Sequence, residues 1–238
     1  MMQTNEIERA LVVMAHPDDV DFGAAGTVAN LTDAGVDVVY CLVTDGQAGG
    51  FDRSVPRSEM ASIRRREQTD AAAVVGVTDL RFLGYMDGTV VVDLQLRQDI
   101  SRVIRDVRPQ VVITQSPLRN LDSTYGSHPD HIATGEATMC AVYPDARNPF
   151  AFPGSPCAEL DDWAVDEVWI SFGMQGDSAV DITDNLDRKI RALMCHESQH
   201  PDPVATETRM RTWWETIAAT HGLGEGRSAE SFRVIDTR

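Results

Sequence analysis

Ala15-His16-Pro17-Asp18-Asp19 follows directly on the apolar run Ala10-Leu11-Val12-Val13-Met14. One imidazole and two carboxylates therefore stand at the exit of what reads as a buried strand. Ser127-His128-Pro129-Asp130-His131 repeats the chemistry with two imidazoles and one carboxylate. Histidine is scarce, 6 in 238 residues, and three of the six fall in these two segments. Neutral imidazole nitrogens and anionic carboxylate oxygens are the donors of a catalytic zinc site. Alone, a His-Pro-Asp is commonly a turn with a capping aspartate; two such motifs at strand exits of one chain point to a shared metal centre.

His16 and Asp19 lie three residues apart around a tight turn, near enough to hold one ion, and His131 would add a third donor. Such a set leaves a coordination position for water, which suits hydrolysis better than a structural role. Asp18, beside a ligand, could take the proton of that water. His128 could donate a hydrogen bond or a proton to a developing oxyanion or a leaving nitrogen, with Asp130 orienting its ring. Histidine and carboxylate donors accept Zn2+ and also Fe2+.

Strand-like and helix-like segments alternate, which predicts an α/β fold with a mostly parallel sheet. Strands are expected at Ala10–Ala15, Val36–Thr44, Leu80–Leu83, Gln110–Gln115, Val165–Ser171 and Phe232–Ile235. Helices are expected at Gly23–Ala34, at Glu59–Val75 opened by Ser58, and at Asp93–Val107, Ile132–Val142, Asp184–Cys195 and Glu207–Thr220. The segment Tyr143–Asp162 holds four prolines and reads as an irregular excursion that either covers the site or meets a second copy of the chain in a homo-oligomer. No linker divides the sequence, so residues 1–238 are expected to form one domain. In open α/β sheets ligands bind beyond the carboxyl ends of the strands, where both histidine motifs fall.

The net charge of -16 argues against nucleic acid and against anionic membrane as partners. No window approaches the ~20 apolar residues of a spanning helix, and MMQTNEIERA has neither the basic start nor the apolar run of a signal peptide. Cys41, Cys140, Cys157 and Cys195 are far apart and form no CxxC, so a cytoplasmic protein with reduced thiols is expected. Lys189 is the single lysine. Gly23-Ala24-Ala25-Gly26 matches neither phosphate-binding glycine pattern.

The motifs resemble those of the PIG-L/LmbE-like family of zinc-dependent N-acetylglucosaminyl deacetylases. The resemblance runs through AHPDD at Ala15–Asp19, Gly26-Thr27, Thr44-Asp45-Gly46, RRRE at Arg64–Glu67, Leu83-Gly84-Tyr85, Asp87-Gly88 and HPDH at His128–His131. It continues through Asp181-Ile182-Thr183 and His196-Glu197-Ser198-Gln199, and so spans nearly the whole chain. It implies a Rossmann-like fold and removal of the acetyl group from a small N-acetylated amino sugar. It further implies His16, Asp19 and His131 as zinc ligands, Asp18 as general base, and His128 as oxyanion stabiliser or acid supported by Asp130. Arg64 and Asp87 match positions that hold sugar hydroxyls. The chain departs from the pattern at Val20-Asp21, where many relatives have glutamate after the double aspartate. It departs again at Gly126, where some carry a tyrosine; Tyr125 stands one step earlier and is left unassigned. His196 is open between the metal edge and a helix-terminal hydrogen bond. An amidase cleaving a thiol conjugate, and a metal-dependent phosphoesterase with a second ion, are the alternatives left open by the residues.

Overall fold

A computed structural model describes residues 1–121, 124, 126–171 and 176–238 of the chain. The strands are β1 (Arg9–Met14), β2 (Asp37–Thr44), β3 (Asp79–Tyr85), β4 (Val111–Gln115), β5 (Glu167–Ser171), β6 (Ser178–Asp181) and β7 (Ala229–Asp236). They form one sheet in the order β3-β2-β1-β4-β5-β7-β6. The first five are parallel, and β7 runs antiparallel to both β5 and β6. The helices are α1 (Asp19–Gly23), α2 (Ala25–Asp33), α3 (Arg57–Val74), α4 (Leu94–Val107), α5 (Pro129–Cys140), α6 (Leu186–Met194) and α7 (Pro203–Thr220).

The period-2 alternation of each strand sends its side chains into two cores. Ala10, Val12 and Met14 of β1, with Val38, Tyr40 and Leu42 of β2, pack with α2, α3 and α6 residues such as Val28, Ala72 and Ala192. Leu11 and Val13, with Val39, Cys41 and Val43, pack instead on Leu96, Ile100 and Ile104 of α4 and on Ala133 and Ala137 of α5. Burial on both faces is why these strands read as unbroken apolar runs. The chain winds outward from the centre in both directions, so the strand order reverses between β1 and β4. That crevice is where such sheets bind ligands. The α/β, mostly parallel architecture is the one expected.

Some boundaries differ from the sequence reading. The helix expected over Gly23–Ala34 is α2, and a short α1 that was not expected precedes it from inside the histidine motif, separated by Ala24 at φ -145. Ser58 caps nothing: α3 begins at Arg57, directly after Pro56, whose φ of -58 already suits the entry. β6, four residues long, carried too little pattern to be expected. Among the described residues no helix is long and apolar enough to cross a membrane.

The proline-bearing segment does not cover the site. Arg105, in the last turn of α4, donates to the carbonyls of Asp145, Ala146, Asn148, Cys157 and Leu160. Trp163 Nε1 donates to the carbonyl of Pro109, just ahead of β4. The segment is thus wrapped around one guanidinium at the end of the sheet opposite the strand exits.

Lys189 is fully buried. Its Nζ lies 2.5 Å from Glu230 Oε1 and 4.3 Å from the centre of the Trp214 ring. Glu230 in turn accepts the backbone N–H groups of Gly26 and Thr27 at 2.8 and 2.7 Å. One ion pair therefore joins α6, β7 and the first turn of α2. Lys189→Met leaves the Glu230 charge buried without its cation, and we expect a loss of about 3–5 kcal/mol of stability, read from the midpoint of urea unfolding.

Candidate active site

The exit of β1 is held by both neighbouring strands. Thr44 Oγ1 donates to the Ala15 carbonyl at 2.9 Å, and Gln115 Oε1 accepts the Ala15 N–H at 2.9 Å. The chain then turns sharply. Asp18 has φ 95 and ψ -27, in the left-handed region, which costs a non-glycine residue about 1–3 kcal/mol. This turn gives the two consecutive aspartates different partners. Asp19 folds back so that its Oδ2 accepts the His16 N–H at 2.8 Å, while Asp18 Oδ2 meets Arg64 at 2.8 Å.

His16 Nδ1, Asp19 and His131 Nε2 form a tight triangle. The edges are 3.2 Å between the imidazoles, 3.3 Å from His16 to Asp19 Oδ2 and 3.1 Å from His131 to Asp19 Oδ1. Donors about 2.0–2.2 Å from a tetrahedral ion are separated by about 3.3 Å. His16 meets Oδ2 and His131 meets Oδ1, so the Asp19 carboxylate spans the two rings at spacings compatible with one divalent ion among the three. The ring nitrogens of His16, His128 and His131 also come within 4.8 Å of one another, so His128 lies alongside the triangle.

The far nitrogen of His16 faces two more carboxylates, Asp87 Oδ1 at 3.1 Å and Asp130 Oδ2 at 3.2 Å. These are hydrogen-bond lengths, and an imidazole that offers Nδ1 to an ion carries its proton on Nε2. One donor atom from each of His16, Asp87 and Asp130 lies within 4.8 Å of the others, so these three form a second group that could hold an ion. One expectation is corrected. Asp130 does not orient His128 through its carboxylate, which stands 4.0 Å from that ring and is taken up by His16 and by the N–H groups of Gly88 and Val90. Asp87, expected at sugar hydroxyls, has one oxygen on His16 and the other on the N–H of Ala48.

His128 is the N-cap of α5, and its Nδ1 accepts the backbone N–H of Asp130 at 3.1 Å. That bond puts the proton on Nε2. Burial, aided by the neighbouring His16 charge, lowers its pKa. The ring is therefore neutral with one N–H to donate. Burial and the charge of Asp19 raise the Asp18 pKa against the pull of Arg64, whereas at Asp19 burial is overcome by His131 and His16 together, which hold that carboxyl well below the usual range.

Arg64 is also turned inward. It is buried and donates to the carbonyls of Gly46 and Pro17 and to Asp18 Oδ2. Gly46 is left-handed, with φ +63, and a Cβ there would run into this guanidinium. Arg64, expected at a sugar hydroxyl, makes these protein contacts, and Gln68 lies one turn on. Gln68 is fully buried and bonds both Asp18 and Asp21. The spacing of four, which puts both residues on one helix face, was the available signal. His196 stands at the N-cap of the 3-10 turn Glu197–Gln199, but its side chain makes no capping bond; its Nε2 meets Asp21 Oδ2 at 2.8 Å. Tyr125 lies outside the described residues.

Without an ion, burial opposes a charged His16, but Asp130, Asp19 and Asp87 outweigh it and push the pKa up to about 12. The His131 pKa is likewise raised by Asp19 against burial. An ion must therefore displace a proton from each ligating nitrogen, so metal affinity should rise as pH rises. Calorimetry in buffers of different ionisation enthalpy should show proton release, and its absence would remove these rings from the ligand set. Asp130→Asn should weaken metal binding about 10–100-fold, measured by competition with a chelating dye.

Known proteins resemble this chain over most of its length. The diacetylchitobiose deacetylase of Thermococcus kodakarensis is 34% identical over 97% of this chain and 84% of its own length. A probable N-acetyl-alpha-D-glucosaminyl L-malate deacetylase of Bacillus cereus is 34% identical over 79% of this chain and 82% of its own. The N,N'-diacetylchitobiose deacetylase structure from Pyrococcus horikoshii superimposes with a TM-score of 0.89 at 29% identity, covering 98% of this chain and 85% of that one. Residues 11–142, which carry both histidine motifs, match the PIG-L family, GlcNAc-PI de-N-acetylase, and the chain belongs to it.

Proposed function

We propose that this protein hydrolyses the acetamide of a small N-acetylglucosamine-containing molecule, with zinc as its ion, releasing acetate and a free amine. The observation that carries the reading is the three-donor triangle of His16, Asp19 and His131 with Asp18 and His128 beside it. The similarity to deacetylases of diacetylchitobiose and of N-acetylglucosaminyl malate supports the substrate class. The four free cysteines support a reducing, cytoplasmic setting.

His16, Asp19 and His131 would hold the ion. When bound, zinc supplies a Lewis acid that polarises the acetyl carbonyl and acidifies water. Asp18 accepts a proton from the attacking water. Its raised pKa fits it to keep that proton until the leaving nitrogen takes it. His128 donates its Nε2 hydrogen to the developing oxyanion, a role for a neutral ring. Asp87 and Asp130 hold His16 by its far nitrogen and so aim its Nδ1. Arg64 grips the carboxylate of Asp18 from behind.

Metal-loaded protein should release acetate from N,N'-diacetylchitobiose or another N-acetylglucosaminide in a small panel. Failure on every member, with metal bound, would overturn the reading. His128→Ala should keep its metal and lose about 10²–10³-fold in kcat. Asp18→Asn should also keep metal while losing most turnover; loss of metal instead would show that Asp18 and Asp19 have exchanged roles.

A further inference from the structure

Asp18 sits in a backbone conformation that L-residues rarely adopt, at the N-cap of a five-residue helix. Its side chain is gripped by Arg64. Its backbone N–H lies outside the helical ladder and is accepted by Gln68 Oε1 at 2.8 Å. Arg64 and Gln68 are one turn apart on the same face of α3. One helix face therefore holds this residue at two points, carboxylate and main chain.

An amide side chain can present either its oxygen or its nitrogen, and only its partners decide which. Here the partner on the nitrogen side is Asp21, whose Oδ2 accepts from Gln68 Nε2 at 2.9 Å. The same oxygen accepts from His196 Nε2 at 2.8 Å. Gln68, Asp21 and His196 are all fully buried. The line His196–Asp21–Gln68 thus leaves the Gln68 oxygen pointing at the Asp18 N–H and nowhere else.

We propose that Gln68, aimed by Asp21 and His196, is a positioning residue that holds Asp18 in its left-handed turn and so fixes where its carboxylate meets the attacking water. The proposal rests on the reading of Asp18 as the base given above. Gln68 touches no substrate and no metal donor atom; it acts through the main chain of Asp18. Its loss should therefore appear in kcat and leave both substrate affinity and metal content in place.

The test uses the metal-loaded full chain with N,N'-diacetylchitobiose, or the panel member it deacetylates in its place, as the probe. Gln68→Met keeps the length of the side chain and removes the acceptor. Misplacing a catalytic group by about 1 Å costs on the order of 10²-fold, so we expect a kcat loss of that order, a KM within about twofold of the parent and one ion per chain. In the Asp18→Asn background the same substitution should change kcat by less than about twofold, because residues acting as one unit are not additive. Losses that multiply, or activity that falls only in step with metal content, would overturn the proposal. Should Gln68→Met not fold, the far end of the line tests it. His196→Leu should lower kcat with metal retained, and His196→Gln, which can still donate to Asp21, should restore it; equal effects of the two would count against the line. A wild type with its metal bound that is inactive on every member of the panel would instead overturn the reading of Asp18 on which this proposal stands.

Discussion

β1 and β4 are paired in parallel, Val13 beside Thr114, and both end at the same edge of the sheet. Everything at the site depends on that adjacency. It sets two turns against each other whose imidazoles are 115 residues apart in the chain and 3.2 Å apart in space. Neighbouring parallel strands whose crossovers leave in opposite directions open a crevice at their carboxyl ends. Gln115 secures the junction by bonding the main chain of Ala15, so the last residue of β4 also fixes the exit of β1.

The charges gathered there divide the labour between consecutive residues. Asp18 and Asp19 are adjacent carboxylates with opposite fates. Burial and its neighbour's charge raise the first, and the imidazole of His131 lowers the second. A pair of like groups pushed apart in this way can serve as base and as ligand within one turn. The left-handed backbone of Asp18 makes the division possible, since it sends the two side chains to Arg64 and to the histidines. The strain of that turn is offset by contacts from α3, which reach it through side chain and main chain alike.

Elsewhere single buried cations organise long stretches of backbone. Arg105 gathers five carbonyls of the proline-bearing segment, and Lys189 ties β7 to α6 through Glu230. Both have the fixed partners that a charge removed from water requires. They stabilise the frame while leaving the strand exits open.

The alternating and apolar runs determined the strands, the α/β class and the edge on which the chemistry lies, because burial on both faces writes itself directly into residue types. That His16, Asp19, His128 and His131 would meet was equally legible, since they stand in two short motifs at strand exits. The tertiary structure alone decided which carboxylate serves which ring. Asp130 lies two residues from His128 in sequence, yet its side chain bonds His16 from across the crevice. Arg64 and Asp87 read as groups for a ligand and make contacts within the protein. Gln68, Asp21 and His196 were invisible as a line because they come from three separate elements. Donor type is a property of a residue, but the choice of partner is a property of docking, and no local pattern encodes the distance between elements far apart in the chain.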